Sequence, residues 1–386
     1  MSVINIPSPW RDNEEIRLFE ESARTFFKRE APPARVAKWR EAGVVERAMW
    51  AKAGEAGLLC VSTPEAYGGA GGDFRHECVI IEAQAALGVE GFGLSLHNSI
   101  VAPYLYTYGS EEQKKKWLPR MASGELVSAI AMTEPGAGSD LQGVKTTAKK
   151  DGNHYVLNGA KTFITNGQTA NLIIVVCKTD PAQGARGTSL IVVETDEVEG
   201  FRRGRNLDKI GQEAQDTSEL FFDDVRVPTS NLIGMEEGQG FFQLMGQLPQ
   251  ERLQIAVQGV AMIERALDVT IDYVKNRKAF GKTILDFQNT QFKLAECKTE
   301  ATVARVFVDR CIDLLLEKKL DAATASMAKY WVSDIQCKIV DECLQLHGGY
   351  GYMNEYEIAR MYKDARVQRI YGGANEIMKV LIARTL

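Results

Sequence analysis

Apolar residues recur at three- and four-residue spacing along the first third of the chain and again from about Glu237 to its end, with a different rhythm between. Ile16, Phe19, Ala23, Phe26 and Phe27 fall on one face of a helix predicted over 14–28, and the pattern repeats over 45–57. Helices are also predicted over 75–87, 94–108 and 111–122, the last behind a Ser110 cap, with the Gly-rich stretch 67–72 as a loop among them. From Leu126 to about Gly234, short β-branched and aromatic runs take over, at 154–157, 161–165, 171–177, 189–193 and 219–222. Asp151-Gly152-Asn153 reads as a hairpin turn between two strands. Short strands with no helical pattern between them predict an antiparallel sandwich or barrel of roughly 110 residues. The predicted organisation is multidomain α+β: helices over 1–127, an antiparallel β-domain over 128–236, and helices over 237–386. A doubly wound sheet would alternate strand and helix, and this chain does not.

Composition narrows the class. A chain of 386 residues can bury a large core, and 45% hydrophobic with 25% charged residues is ordinary for a globular protein. The formal net charge of −5 and pI near 5.7 argue against nucleic acid or an anionic membrane as partner. Lys114-Lys115-Lys116, the one tight basic run, is expected on a solvated helix face. Cys60, Cys78, Cys177, Cys297, Cys311, Cys337 and Cys343 form no CxxC pair and suit buried thiols in a reducing compartment. His76, His97, His154 and His347 do not stand at metal-ligand spacing, so no metal is expected. The N-terminus carries neither a signal-peptide nor a transit-peptide pattern, and no apolar run reaches membrane-spanning length, so a cytoplasmic location without membrane insertion is expected.

Five segments carry candidate chemistry. In Leu248-Pro249-Gln250-Glu251-Arg252, Pro249 suits a first helical position, and Leu253, Val257, Val260, Ile263, Leu267, Ile271 and Val274 continue as a buried stripe. Glu251 and Arg252 are thereby expected at a helix tip, where two readings stand: compensation of the helix dipole, worth ~0.3–1 kcal/mol, or a catalytic base. Met132-Thr133-Glu134-Pro135-Gly136-Ala137-Gly138-Ser139-Asp140 is a loop able to approach a ligand and donate backbone N–H groups, or else a domain-junction turn. Its spacing is not that of a dinucleotide fingerprint. Phe163 and Thr165 share a strand face, where a ring and a hydroxyl can flank a flat ligand or simply pack. Arg277-Lys278-Ala279-Phe280-Gly281-Lys282, with Gln288 beyond, offers an arginine for phosphate or a plain helix C-terminus. Gln345-Leu346-His347-Gly348-Gly349 ends one helix, and Ile370-Tyr371-Gly372-Gly373-Ala374-Asn375-Glu376-Ile377 opens the last, presenting free N–H groups. His347 has no acid–base partner nearby and reads as structural or cofactor-facing.

In this order and spacing, the five segments resemble the acyl-CoA dehydrogenase family over nearly the whole chain, from about Asp12 to Leu386. The resemblance implies a helical domain, a β-domain and a C-terminal four-helix bundle. It also implies FAD, a homotetramer, and oxidation of the Cα–Cβ bond of an acyl-CoA with electrons passing to an electron-transfer flavoprotein. Carried over by position, Met132, Thr133, Ser139, Phe163 and Thr165 would contact the flavin. Arg277, Phe280, Gln288, Gln345 and Gly349 would hold the FAD of a neighbouring subunit, and Ala374 and Glu376 would flank the nucleotide. Ser139, Phe242, Glu251, Arg252, Gly372 and Gly373 would line the acyl-CoA site.

One departure decides the base. Many relatives carry the catalytic glutamate directly after Ile-Tyr of the terminal segment, where this chain has Gly372. Glu251-Arg252 instead matches the long-chain and isovaleryl branches, and Ile-Tyr-Gly-Gly-x-Asn-Glu-Ile resembles the long-chain one. Glu251 is then expected to take the α-proton, with its pKa raised by burial from about 4.3. Small Gly91 and Ser95, in the segment that closes the pocket in medium-chain relatives, predict a medium-to-long straight chain. The rivals are a short branched-chain dehydrogenase and a flavin-binding scaffold without activity; the length of the chain disfavours an oxidase.

Overall fold

The computed structural model describes residues 3–386. Its helical N-terminal part comprises α1 (Glu14–Glu30), α2 (Pro33–Ala42), α3 (Ala48–Glu55), α4 (Phe74–Ala86), α5 (Ala102–Tyr108) and α6 (Glu111–Ala122). Asn13 caps α1, and Ser110 with Gln113 forms a capping box at α6, as its position predicts. Helix α2 is not among the predicted elements: Pro32-Pro33 looks like a break, yet proline is well suited to the first helical turn. Over 94–108 the chain is helical in two forms, a π-helical turn at Leu96–Val101 running into α5.

The middle part contains β1 (Ser128–Ala131), β2 (Thr147–Asp151), β3 (His154–Thr165), β4 (Leu172–Lys178), β5 (Thr188–Glu194), β6 (Phe201–Asn206) and β7 (Thr217–Pro228). They form one sheet in the order β1-β4-β2-β3-β7-β6, with β5 paired to β4. Most pairings are antiparallel, as expected, but β1 lies parallel to β4, Ser128 opposite Leu172 and Ala131 opposite Val175. The sheet is therefore mixed. Strands β4 and β5 are buried on both faces: Leu172, Ile174 and Val176 pack against α5 and α6, while Ile173, Val175 and Cys177 face the sheet's other core. That double burial explains the uninterrupted apolar run Leu-Ile-Ile-Val-Val-Cys.

Helix α7 (Gly240–Asn276) opens the C-terminal part, followed by the short pair β8 (Lys278–Ala279) and β9 (Lys282–Thr283). Then come α8 (Gln288–Leu316), α9 (Ala322–His347), α10 (Glu357–Ala365) and α11 (Asn375–Ala383). The expected start of α7 at Pro249 is corrected: the helix begins nine residues earlier and continues through the proline. Buried Gln243 and Leu244 anchor the added turns, so tertiary packing outweighs the one backbone hydrogen bond that Pro249 cannot donate. Glu251 and Arg252 are consequently inside a long helix and not at its tip, so dipole compensation does not account for them. One apolar core runs from α1, α3 and α4 through α7 to α8 and α9, fusing the N-terminal helices to the bundle. Among the described residues, no helix is long and apolar enough to cross a membrane.

Candidate active site

Glu251 is 5% exposed, on a helix whose neighbouring residues Leu253, Ala256 and Val257 are fully buried. Burial lifts its carboxyl to about 7, against the downward pull of a hydrogen bond from Tyr104 and the charge of Arg252. The Tyr104 hydroxyl donates to Glu251 Oε1 at 2.7 Å. Local chain chemistry sets this contact. Pro103 has no N–H to give the Ser99 carbonyl one turn back, and Gln250 Nε2 supplies a donor there at 2.9 Å. The residue before Glu251 thus clamps α7 to the segment that carries Tyr104. Tyr104 belongs to the site although its sequence neighbourhood gives no sign of it.

Arg252 is also buried; its Nη1 reaches Ser326 Oγ at 3.4 Å, and its Nε has no acceptor. Beside it, the fully buried Lys329 donates to the Gly373 carbonyl at 2.7 Å and to Asn375 Oδ1 at 2.9 Å. Burial, then the Arg252 charge, lowers Lys329 to about 8. Gly372 and Gly373 both have positive φ, so their turn is held in a conformation that favours glycine. A Cβ on Gly372 would come within 2.3 Å of Ile255 Cδ1, one helical turn beyond Glu251. Glu251, Arg252, Gly372 and Gly373 are therefore brought into one neighbourhood, with Asn375 opening α11 beside it. Phe242 stands on α7 about 13.5 Å along the axis from Glu251 and is exposed. Ser139 is exposed as well.

A second group gathers at the sheet. Thr162 N–H donates to the Thr133 carbonyl, tying the 132–139 loop to β3 beside Phe163 and Thr165. Lys161, wholly buried, donates to the carbonyls of Met132 and Val176 and to Glu134 Oε1, while Glu134 accepts from the backbone of Lys145 and Thr146. Burial opposes both charges, but the Lys161 charge and the hydrogen bonds to Glu134 still hold that carboxyl below its usual value. Phe163 has positive φ at a register shift in β3 and is 66% exposed, offering a ring face beside the Thr165 and Thr133 hydroxyls. No atom lies within 4 Å of where a Cβ would stand on Gly136 or Gly138, so the loop has room for a ligand. An apolar ring face, hydroxyls and an open glycine loop fit a flavin.

A third group stands at the far end of the bundle. Phe280 and Gly281 form the positive-φ turn between β8 and β9, with Phe280 95% exposed. Arg277 lies over the Tyr350 ring, Gln288 starts α8, and Gln345 caps the end of α9 beside Gly348 and Gly349. His347 stacks on Tyr273 with centroids 4.2 Å apart, and burial lowers its pKa, which agrees with a structural role. Ala374 caps α11, and Glu376 is exposed in its first turn. Among the described residues, no hydrogen bond, ion pair or ring contact joins this third group to the second.

Along α7, Glu251, Ile255, Gln258 and Met262 recur as one stripe. Gln258 and Met262 reach a cavity of about 100 Å³ that Ser95 and Gly91 also line. The absent side chain of Gly91 would meet Ala214 Cβ at 2.3 Å, so this glycine reflects close packing and positive φ. It does not itself deepen the pocket.

Three models of the acyl-CoA dehydrogenase family match the chain: the N-terminal domain over residues 13–125, the middle domain over 129–225 and the C-terminal domain over 238–386. The long-chain specific acyl-CoA dehydrogenase of Sus scrofa is 54% identical over 97% of this chain and 87% of its own, and that of Mus musculus is 52% identical over the same shares. The crystal structure of an acyl-CoA dehydrogenase from Geobacillus kaustophilus superposes with a TM-score of 0.94 at 51% identity, covering 97% of this chain and 98% of the other.

Proposed function

This chain belongs to the acyl-CoA dehydrogenase family of FAD enzymes, and from that premise we propose that Glu251 is the base that removes the α-proton of a medium-to-long straight-chain acyl-CoA. The observation that carries the assignment is a buried carboxyl lifted to about 7, one helical turn from Ile255 and the Gly372–Gly373 turn. The thioester acidifies the α-proton, and the Gly372 backbone N–H donates to its carbonyl as negative charge develops there. Lys329 fixes that turn from behind, through Gly373 and Asn375. A base near neutrality matches the working pH without a large cost of ionisation. Bound FAD supplies the acceptor for the hydride that leaves the β-carbon. Met132, Thr133, Ser139, Phe163 and Thr165 would hold its ring, and Arg252, Gly373, Phe242 and Ser139 the substrate.

The third group would serve the FAD of a neighbouring chain, with Arg277, Phe280, Gln288, Gln345 and Gly349 reaching across and Ala374 and Glu376 completing the nucleotide end. The exposure of Phe280 and the separation of this group from the flavin loop support a homotetramer. Electrons would pass to an electron-transfer flavoprotein. Seven unpaired cysteines suit a reducing compartment, which we take as cytoplasmic, although the mammalian relatives are described as mitochondrial.

Anaerobic titration with saturated acyl-CoAs of increasing length, followed by the flavin's visible absorbance, tests the function. Bleaching should strengthen from short to medium and long chains; an optimum at butyryl or isovaleryl with none beyond would instead indicate the branched-chain rival. Tyr104→Phe tests how the base is tuned. Because the hydroxyl's hydrogen bond favours the carboxylate, its loss should move the acid limb of kcat/KM from about 7 to roughly one pH unit higher. Activity would recover at alkaline pH. An unmoved limb would show that Tyr104 does not act on Glu251.

A further inference from the structure

The cavity beyond Ile255 is lined by polar groups, and two of them have no partner. Gln336 on α9 and Gln368 after α10 are 1% and 2% exposed, and neither Oε1 has a donor. Both face Gly259 on α7: a Cβ there would lie 3.2 Å from Gln368 Oε1 and 3.4 Å from Gln336 Oε1. A third carboxamide, Gln258, accepts from the Tyr371 hydroxyl at 3.3 Å and keeps its N–H groups to donate. Such orphaned acceptors cost about 1–3 kcal/mol each unless something enters to satisfy them. The cavity has room for several waters or for the end of an acyl chain.

The charged groups around this chamber are already paired. Glu90 is held by Arg40 and lies 3.9 Å from Arg360, and Glu357 accepts two hydrogen bonds from Arg265. Asp364 accepts from the Gln212 backbone, and burial, then Glu90, holds its carboxyl well above the usual range. An entering carboxylate would find no free cation. An entering hydroxyl would find acceptors in Gln336 and Gln368 and a donor in Gln258.

Gln258 and Met262 lie about 10 and 16 Å along the helix axis from Glu251, on the same face. The chamber therefore lies where the tail of an acyl chain would run if its thioester sat at Glu251. We propose that the chamber is a distal subsite that selects acyl-CoAs bearing a neutral hydrogen-bonding group, a hydroxyl, near the end of the chain. This rests on the assignment of Glu251 as the base. It adds a substrate class that chain length alone does not specify.

The test compares the holoenzyme's kcat/KM for saturated acyl-CoAs from octanoyl to hexadecanoyl with that for their ω-hydroxy and ω-carboxy counterparts. At the length that places the terminal group in the chamber, the ω-hydroxy chain should be preferred over the plain chain by about tenfold or more, and the ω-carboxy chain should be poorest. Gln336→Leu and Gln368→Leu should each reduce that preference while sparing turnover of octanoyl-CoA, which serves as the check that the variants are folded. Equal or better turnover of the plain chain at every length would overturn the subsite and leave the dehydrogenase assignment standing. A preference unchanged in both variants would overturn it too. If no acyl-CoA of either kind bleaches the flavin, the assignment fails and the subsite with it.

Discussion

Glu251→Gln will bind FAD as the wild type does, but its flavin reduction by acyl-CoA will be slower by about 10²–10⁴-fold, the range a positioned general base contributes. Glutamine preserves the volume and can still accept the Tyr104 hydroxyl, so the loss reports the proton acceptor and not a collapsed pocket. A second signature separates this from general damage. The folded pKa of Glu251, about 7, lies above the ordinary value of 4.5. The native state therefore binds the proton more tightly, and wild-type stability falls as pH rises from 4.5 to 7. Above that window the buried charge costs the wild type about 3 kcal/mol, which glutamine does not incur. The variant should be the more stable protein at pH 8 and nearly equal at pH 4. Urea denaturation at both pH values, with stopped-flow bleaching, checks both signatures. Wild-type bleaching rates in the variant would remove Glu251 from the chemistry.

Lys161→Met should cost about 3–5 kcal/mol of stability, the usual consequence of leaving one member of a buried ion pair alone. It should also lower FAD occupancy, because Lys161 ties the Met132 carbonyl and Glu134 to β4 through Val176. Without it, the 132–139 loop would keep only the backbone bonds of Glu134 to Lys145 and Thr146 and the link from Thr162 to Thr133. Adding Glu134→Gln removes the stranded charge, and the double variant should be more stable than Lys161→Met alone. A double-mutant cycle by urea denaturation, with flavin content read from absorbance, measures both effects. If the double variant were no more stable than Lys161→Met, the pair's charge would not be what holds the loop.

The parts legible in the sequence are those whose cause is local. Helices α1 and α6 show because one face is apolar and a polar cap marks each start. The hairpin at Asp151 shows because Gly152 and Asn153 suit the turn between β2 and β3. Pro249 misleads because a local preference for the first turn of a helix is overridden by the burial of Gln243 and Leu244. The parallel pairing of β1 with β4 has no local signature, since a strand's sequence does not name its neighbour's direction. Glu251 is visible only through family resemblance, and Tyr104 not even so. The two are 147 residues apart and meet through a proline-freed carbonyl that no periodicity reveals. Gln336 and Gln368 read in sequence as ordinary helix-surface residues; only the fold shows them buried without donors.

Ile255 and Gly372 occupy a single volume, since a side chain on the turn would run into the isoleucine. The two homes for a base within this family are thus mutually exclusive here, and the order of any evolutionary exchange is constrained. A lineage moving its carboxylate from α7 to the turn must first shrink residue 255, a step that confers nothing by itself. Only then can residue 372 acquire a side chain, and Glu251 becomes dispensable last. Reversing that order passes through a crowded or a baseless ancestor, so the placement of the glutamate should persist along a branch long after substrate preference has drifted.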